Sequence, residues 1–372
     1  MAWKVPYINY PQQYEKTRTE LLELIDSTLS AGDVMLRHQL HDFEANLAAF
    51  VGTQHAVGMG NCTDALHLSL LAAGVGPGDE VITVSHTMVA TASAIHHSGA
   101  DLSLVDIGDD HNMDMDALEK AITPRTKAVM PVHLNGRVCD MGRLMALADK
   151  HGFAVIEDAA QALGGSFNGI NAGSFGLAGC FSFYPAKLLG TYGDGGAVTT
   201  NDSDMLYRLE LLRNHGRTED NDVAFWSFNS RLDNLHAAIL DFKLKLLPEW
   251  IEQRRAIAQQ YHSILSDLPQ LLLPPPPVEE GPYYDVFQNY EIEAENRDEL
   301  AKHLNEQGIE TMLPWGGKAV HQFKGLDLGR FTDTLPRTEL AFSRMLMIPM
   351  HCELSDDQVD YVGHTIRNFY GS

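Results

Sequence analysis

Cys180-Phe181-Ser182-Phe183-Tyr184-Pro185-Ala186-Lys187-Leu188-Leu189-Gly190 is an apolar, aromatic run that closes on a lysine, and Gly193-Asp194-Gly195-Gly196 follows directly. The glycines permit a tight return, so the chain leaves one strand, passes Lys187 and re-enters a sheet over Gly195–Thr200. Just upstream, Ala154-Val155-Ile156-Glu157-Asp158 is a second apolar run, ending in two carboxylates. Working outward, strand-like runs occur at His55–Met59, Glu80–Val84, Asp101–Asp106, Ala128–His133, Phe153–Asp158, Gly179–Tyr184 and Gly195–Thr200. Helical patterns such as Asp64–Ala73 and Met141–His151 separate several of them, and Gly76-Pro77-Gly78-Asp79 marks a turn. That alternation predicts an α/β unit built on a mainly parallel seven-stranded sheet.

The rest of the chain reads differently. Residues 234–265 form a long amphipathic helical stretch interrupted near Pro248, and Pro274–Pro277 is a stiff connector. A strand over Asn289–Ile292 and helices over Arg297–Gln307 and Asp356–Phe369 suit a smaller α+β unit. The expected division is a large domain over 1–245 and a small one over 246–372, with the N-terminal residues free to pack against the latter. The 372 residues are 44% hydrophobic and 21% charged, the balance of an ordinary globular protein. A formal charge of −23 argues against nucleic acid or an anionic membrane surface as a partner. Cys62, Cys139, Cys180 and Cys352 lack the short spacing of a zinc or redox motif, so no metal is expected and a reducing cytoplasm is the natural compartment. The N-terminus has no apolar leader, and no segment approaches membrane-spanning length.

Lys187 carries the chemistry. An amine among apolar and aromatic neighbours loses solvation, which favours its neutral, nucleophilic form. Schiff-base chemistry requires that form. Asp158 stands at the C-terminal end of a strand, the edge where open α/β sheets bind ligands, and can keep a pyridine nitrogen protonated. The pair points to pyridoxal 5'-phosphate, with pyridoxamine 5'-phosphate as its aminated form. Gln161 is placed to donate to the ring's phenolic oxygen. Gly60-Asn61-Cys62-Thr63-Asp64 opens a helix after a strand, where backbone N–H groups attract phosphate, and Ser182 adds a hydroxyl. Each has a plainer reading: Asp158 and Thr63 as helix caps, Ser182 as a satisfied strand hydroxyl, Lys187 as a surface charge. Their joint occurrence favours the cofactor.

Several motifs together carry a resemblance. They include Asn61-Cys62-Thr63-Asp64-Ala65-Leu66, Thr87-Met88-Val89-Ala90-Thr91, Glu157-Asp158-Ala159-Ala160-Gln161-Ala162 and Phe228-Asn229-Ser230-Arg231-Leu232. With the Lys187 segment, they make the chain resemble, from about residue 5 to 370, the DegT-type nucleotide-sugar aminotransferases of the aspartate aminotransferase fold. The resemblance implies that Lys187 bonds the cofactor aldehyde, Asp158 partners the ring nitrogen and Gln161 meets the 3-hydroxyl. It further implies that Thr63, the Cys62 backbone and Ser182 hold the phosphate. Asn229 would reach the phosphate of a neighbouring subunit, making the active unit a homodimer. Three departures stand out: Cys62 replaces a frequent glycine, Met88 a usual aromatic residue, and Asn135 and Leu188 a frequent tyrosine and asparagine.

The implied reaction is a transamination. L-Glutamate gives its amino group and leaves as 2-oxoglutarate, and a nucleotide-linked keto-sugar receives it, for glycan, lipopolysaccharide or natural-product biosynthesis. His215, Arg217, Arg231, Lys318 and His321 are the candidate substrate contacts, although each is individually more often structural or solvated. The nucleotide and the sugar stay open, as does the choice between carbon 3 and carbon 4, with carbon 4 preferred only because it is common in the family. Alternatives are a keto-cyclitol acceptor, a pyridoxamine-dependent sugar dehydratase, or a non-catalytic regulator on the same fold. Dehydratase relatives replace the lysine with histidine, so Lys187 argues against that chemistry.

Overall fold

A computed structural model describes residues 3–220 and 222–371. Its largest feature is a seven-stranded sheet. In chain order the strands are β1 (His55–Met59), β2 (Glu80–Val84), β3 (Asp101–Val105), β4 (Thr126–Val129), β5 (Ala154–Asp158), β6 (Ala178–Ser182) and β7 (Gly196–Thr200). Their order across the sheet is β1-β7-β6-β5-β4-β2-β3. All neighbouring pairs are parallel except those of β7, which runs antiparallel to β1 and β6. Because β2 and β7 are buried throughout, both faces must be covered. Two apolar clusters do this: one gathers Phe43, Leu47, Phe181 and Phe183, the other Met59, Leu66, Leu68 and Leu70.

Local chemistry fixes the helix ends. Cys62–Ala72 begins where the Asn61 side chain accepts the Asp64 N–H, and Asp64 adds a carboxylate to the first turn. Met141–His151 is capped by Asp140 and stopped by Gly152 at φ 77°. The expected strand over Ala128–His133 is shorter and earlier, because Pro131 has no N–H to continue the ladder. The 234–265 stretch divides into Asn234–Leu244 and Leu247–Leu265. The break precedes Pro248, which then sits in the first turn where a missing N–H costs nothing.

Beyond these helices a three-stranded sheet pairs Leu271–Leu272, Tyr290–Ala294 and Met345–Ile348. Tyr261, Tyr290, Ile292, Leu346 and Ile366 pack into its own apolar cluster, which Val5 joins from the N-terminus. The Lys4 and Val5 N–H groups donate to the Gly308 carbonyl, and Tyr7 N–H donates to Glu310. A small unexpected sheet links Ser166–Phe167, Ile170–Asn171 and Tyr283–Tyr284. No helix among the described residues is long and apolar enough to cross a membrane.

Candidate active site

The chemistry-bearing residues gather at one edge of the large sheet. Asp158 and Ser182 end β5 and β6; Met88 and the Asn61–Thr63 turn follow β2 and β1. Antiparallel β7 starts at this edge, with Gly196 in register opposite both Ser182 and Met59. A Cβ on Gly196 would lie 2.5–2.7 Å from backbone atoms of Asn61 and Cys62, so only glycine lets the return pack against the start of helix Cys62–Ala72. A cavity of about 660 Å³ opens here. Cys62, Thr63, Met88, Asp158, Gln161, Ser182 and Lys187 all line it, as do Tyr7, Trp315 and Arg254 from the ends of the chain.

The electrostatics suit an electron-withdrawing ring. Asp158 is buried, and burial pushes its carboxyl up against the opposing effects of the Thr91 hydroxyl, the Ala160 N–H, Lys187 and His133. Thr91 Oγ1 donates to Asp158 Oδ2 at 2.7 Å, and Ala160 N–H donates to Oδ1 at 3.2 Å, so the carboxylate is fixed in orientation. Lys187 is half-buried on the cavity wall; burial lowers its pKa while Asp158 and Cys62 partly restore it. The Cys62 thiol is pushed well up, chiefly by burial, and is no nucleophile. Glu157 faces away from the cavity. It accepts from the Gly173, Phe175 and Gly176 N–H groups and contacts His133 Nε2 at 2.9 Å, tying β5 to the following loop.

A cofactor phosphate fits the turn after β1. The Cys62 and Thr63 N–H groups meet no protein acceptor among the described residues, unlike those of Gly60 and Asp64. Gln161 Oε1 accepts the Asn135 N–H at 2.7 Å, which leaves its amide NH₂ as the free donor at the cavity wall. The lysine loop is held by a residue that sequence reading missed. Gln288 Oε1 accepts the Leu188 N–H at 2.7 Å, and Gln288 Nε2 donates to the Ala186 carbonyl at 2.8 Å. The two bonds straddle Lys187. Asn289, the next residue, donates to Asn135 Oδ1 and accepts from the Tyr7 hydroxyl.

The remaining candidates lie elsewhere. Asn229 is exposed and pairs with Asn214 in an isolated bridge; exposed His215 (φ 60°) and Arg217 share its neighbourhood. Arg231 donates to Asn214 Oδ1 at 3.2 Å. Lys318 is exposed, whereas His321 is buried, bonded to Ser85 Oγ at 2.6 Å and Glu339 at 2.7 Å. None of these six lines the cavity. Its cations are Lys187, Arg254 and His351, and Arg254 Nη1 is committed to the carbonyls of Phe287, Gln288 and Met350.

Known proteins resemble this chain over nearly its whole length. A "Pleiotropic regulatory protein" of Geobacillus stearothermophilus is 41% identical over 98% of this chain and 98% of its own length. The dTDP-3-amino-3,4,6-trideoxy-alpha-D-glucose transaminase of Streptomyces venezuelae is 42% identical over 98% of this chain and 96% of its own. The crystal structure of S. venezuelae DesV with a ketimine intermediate superposes with a TM-score of 0.94, at 38% identity and covering all of both chains. Residues 15–367 match the profile of one family, and the chain belongs to it: the DegT/DnrJ/EryC1/StrS aminotransferase family.

Proposed function

We propose that this protein transfers the amino group of L-glutamate to carbon 3 of a nucleotide-linked keto-sugar. The observation that carries the reading is the convergence of the half-buried Lys187 with its lowered pKa, a buried carboxyl at Asp158 and the Cys62 and Thr63 N–H groups, without a protein acceptor among the described residues, on one cavity. Pyridoxal phosphate would supply an aldehyde for the amine and a ring that withdraws electrons. Asp158 would hold a proton at the ring nitrogen, Gln161 would donate to the ring oxygen, and Cys62, Thr63 and Ser182 would bind the phosphate. Lys187 Nζ, its pKa lowered by burial, would take a proton from the carbon bearing the substrate nitrogen and return it as general base and acid. Met88, half-exposed on the cavity wall, would pack on the ring. Carbon 3 is preferred over carbon 4 because the printed name of the 42% identical S. venezuelae transaminase specifies a 3-amino sugar.

The active unit in this proposal is a homodimer. Val223, Phe225, Trp226 and Phe228 form an exposed apolar stretch, with Trp226 wholly uncovered, and a surface of that kind favours a partner. Asn229, His215 and Arg217 adjoin it. Because the cavity's own cations are few and Arg254 is engaged, cations from a second copy are the natural partners for a sugar diphosphate. The division near residue 245 is part of the same reading: the C-terminal sheet has its own apolar cluster, although helix Leu247–Leu265 contributes to both cores. Four free cysteines suit a reducing cytoplasm. The regulator's name borne by one relative keeps a non-catalytic reading in view. Incubating the cofactor-loaded protein with glutamate and a panel of dTDP- and UDP-linked 3-keto and 4-keto sugars, with mass spectrometry, separates the two. A 3-amino product supports the proposal. A 4-amino product overturns only the carbon assignment, and no amine from any acceptor overturns the enzyme reading.

A further inference from the structure

His86, His111 and Glu291 meet at the seam between the large sheet and the C-terminal one. His86 follows β2, His111 sits at φ 65° in the turn after β3, and Glu291 lies on Tyr290–Ala294. None of the three lines the large cavity. Among the described residues they are the one group of three or more His, Cys, Asp or Glu whose ligand atoms all lie within 4.8 Å of one another. Glu291 Oε1 is 3.3 Å from His86 Nε2 and 3.3 Å from His111 Nδ1. Ligand atoms about 2.0–2.2 Å from a tetrahedral zinc ion stand about 3.3–3.5 Å apart. The spacing of these pairs is that of a coordination sphere.

The hydrogen-bond pattern independently points to a ligand. His86 is 0% exposed, yet its Nδ1 has no partner among the described residues, and the 3.3 Å approaches of His86 Nε2 and His111 Nδ1 to Glu291 Oε1, at a residue 3% exposed, lack hydrogen-bond geometry. Buried polar atoms left so are rare without an ion or water to satisfy them. The supporting shell is also present. His111 Nε2 bonds Glu293 at 2.7 Å, and Glu293 is bonded in turn by Arg337. A carboxylate on the far nitrogen orients the ring, and a metal at Nδ1 would displace the proton that Glu291 and Glu293 together favour on the ring. His86 is wedged edge-on between Trp315 and Phe342, with ring centroids 5.6 and 5.0 Å away. A void of about 40 Å³ beside His111 and Glu291, which His86 does not line, is large enough to hold water near them.

We propose that His86, His111 and Glu291 bind one divalent transition-metal ion of the zinc class, completed by water, which staples the C-terminal sheet to the edge of the large one. No cysteine takes part and the ligands are far apart in the chain, so no spacing in the sequence announces them. Zinc and cobalt ions alone are the probes, applied to chelator-treated, cofactor-loaded protein by calorimetry and visible spectroscopy. Expected are one equivalent bound, an intense tetrahedral cobalt spectrum and a metal-dependent rise in the unfolding midpoint. His86→Ala and Glu291→Gln should each weaken binding more than about 100-fold, and Glu293→Gln, outside the coordination sphere, about 10- to 100-fold. His97→Ala, which removes a separate pair with His67, should leave binding unchanged. Absence of saturable binding, a weak octahedral cobalt spectrum, or loss in His97→Ala alone overturns the proposal. Should the ligand variants not fold, the wild-type spectrum and midpoint shift decide it.

Discussion

Replacing Gln288 with leucine should uncouple Lys187 from its reaction while sparing substrate binding. The glutamine carboxamide, just before the strand Tyr290–Ala294, bridges to the backbone on both sides of the lysine through bonds of 2.7 Å to Leu188 N–H and 2.8 Å to the Ala186 carbonyl. Leucine keeps most of the volume and removes both. A buried donor or acceptor left unpaired costs about 1–3 kcal/mol. Leu188 is 5% exposed and bears the full cost, whereas Ala186 is only partly buried and water relieves some of it. The loop therefore loses about 2–4 kcal/mol of its preference for the observed conformation. A displacement of the amine by about 1 Å is enough to lower turnover about 100-fold. The assay is stopped-flow kinetics of the glutamate half-reaction: kcat should fall by about two orders of magnitude with KM changed little. Gln288→Glu makes the reasoning sharper. Its carboxylate still accepts from Leu188 N–H but opposes the Ala186 carbonyl, so activity should recover as pH falls and the protonated acid donates instead. Wild-type kcat in Gln288→Leu, or no acid recovery in Gln288→Glu, refutes the clamp.

Asp158→Asn should abolish transamination yet stabilise the cofactor-free protein at neutral pH. Burial raises the folded pKa of Asp158, so the unfolded chain releases its proton first as pH rises and stability declines from the ordinary carboxylate range up to the raised value; thermal unfolding should show the gap between variant and wild type closing in acid. Removing that carboxylate also withdraws a group that raises the Lys187 pKa, so the pH midpoint for labelling the amine with an aldehyde and reductant should move lower, from a value already below that of an ordinary lysine. Gly196→Ala puts a methyl into the Asn61–Cys62 backbone and should weaken cofactor retention at least about tenfold, measured by fluorescence titration. Trp226→Glu should yield an inactive monomer in light scattering, and an intact active dimer speaks against the 222–229 interface.

The large sheet was legible because β2, β5, β6 and β7 are almost wholly buried and so are rich in apolar residues, whereas β3 and β4 are partly exposed. β1 and β2 have the predicted limits, and helices Met141–His151 and Asp356–Phe369 do also. Proline marked both outcomes: Pro131 shortens β4, whereas the interruption expected near Pro248 is present, with Pro248 in the first turn of the second helix. At the cavity, Lys187, Asp158, Gln161, Ser182, Thr63, Cys62 and Met88 were readable because they flank strand ends in recognisable motifs. Gln288, Asn289, Tyr7 and Arg254 were not, since each acts through contacts with residues distant in the chain. The histidine and glutamate cluster at the seam was invisible for the same reason. His321 shows the converse, a suggestive residue whose nitrogens the fold has already engaged.

The central claim is that Lys187 is the amine that holds the cofactor. Loading the purified protein with pyridoxal phosphate, reducing it with borohydride and mapping its peptides by mass tests this directly. One phosphopyridoxyl group per chain is expected, on Lys187, and none in Lys187→Ala. Stoichiometric modification of another lysine, or no modification at all, contradicts it.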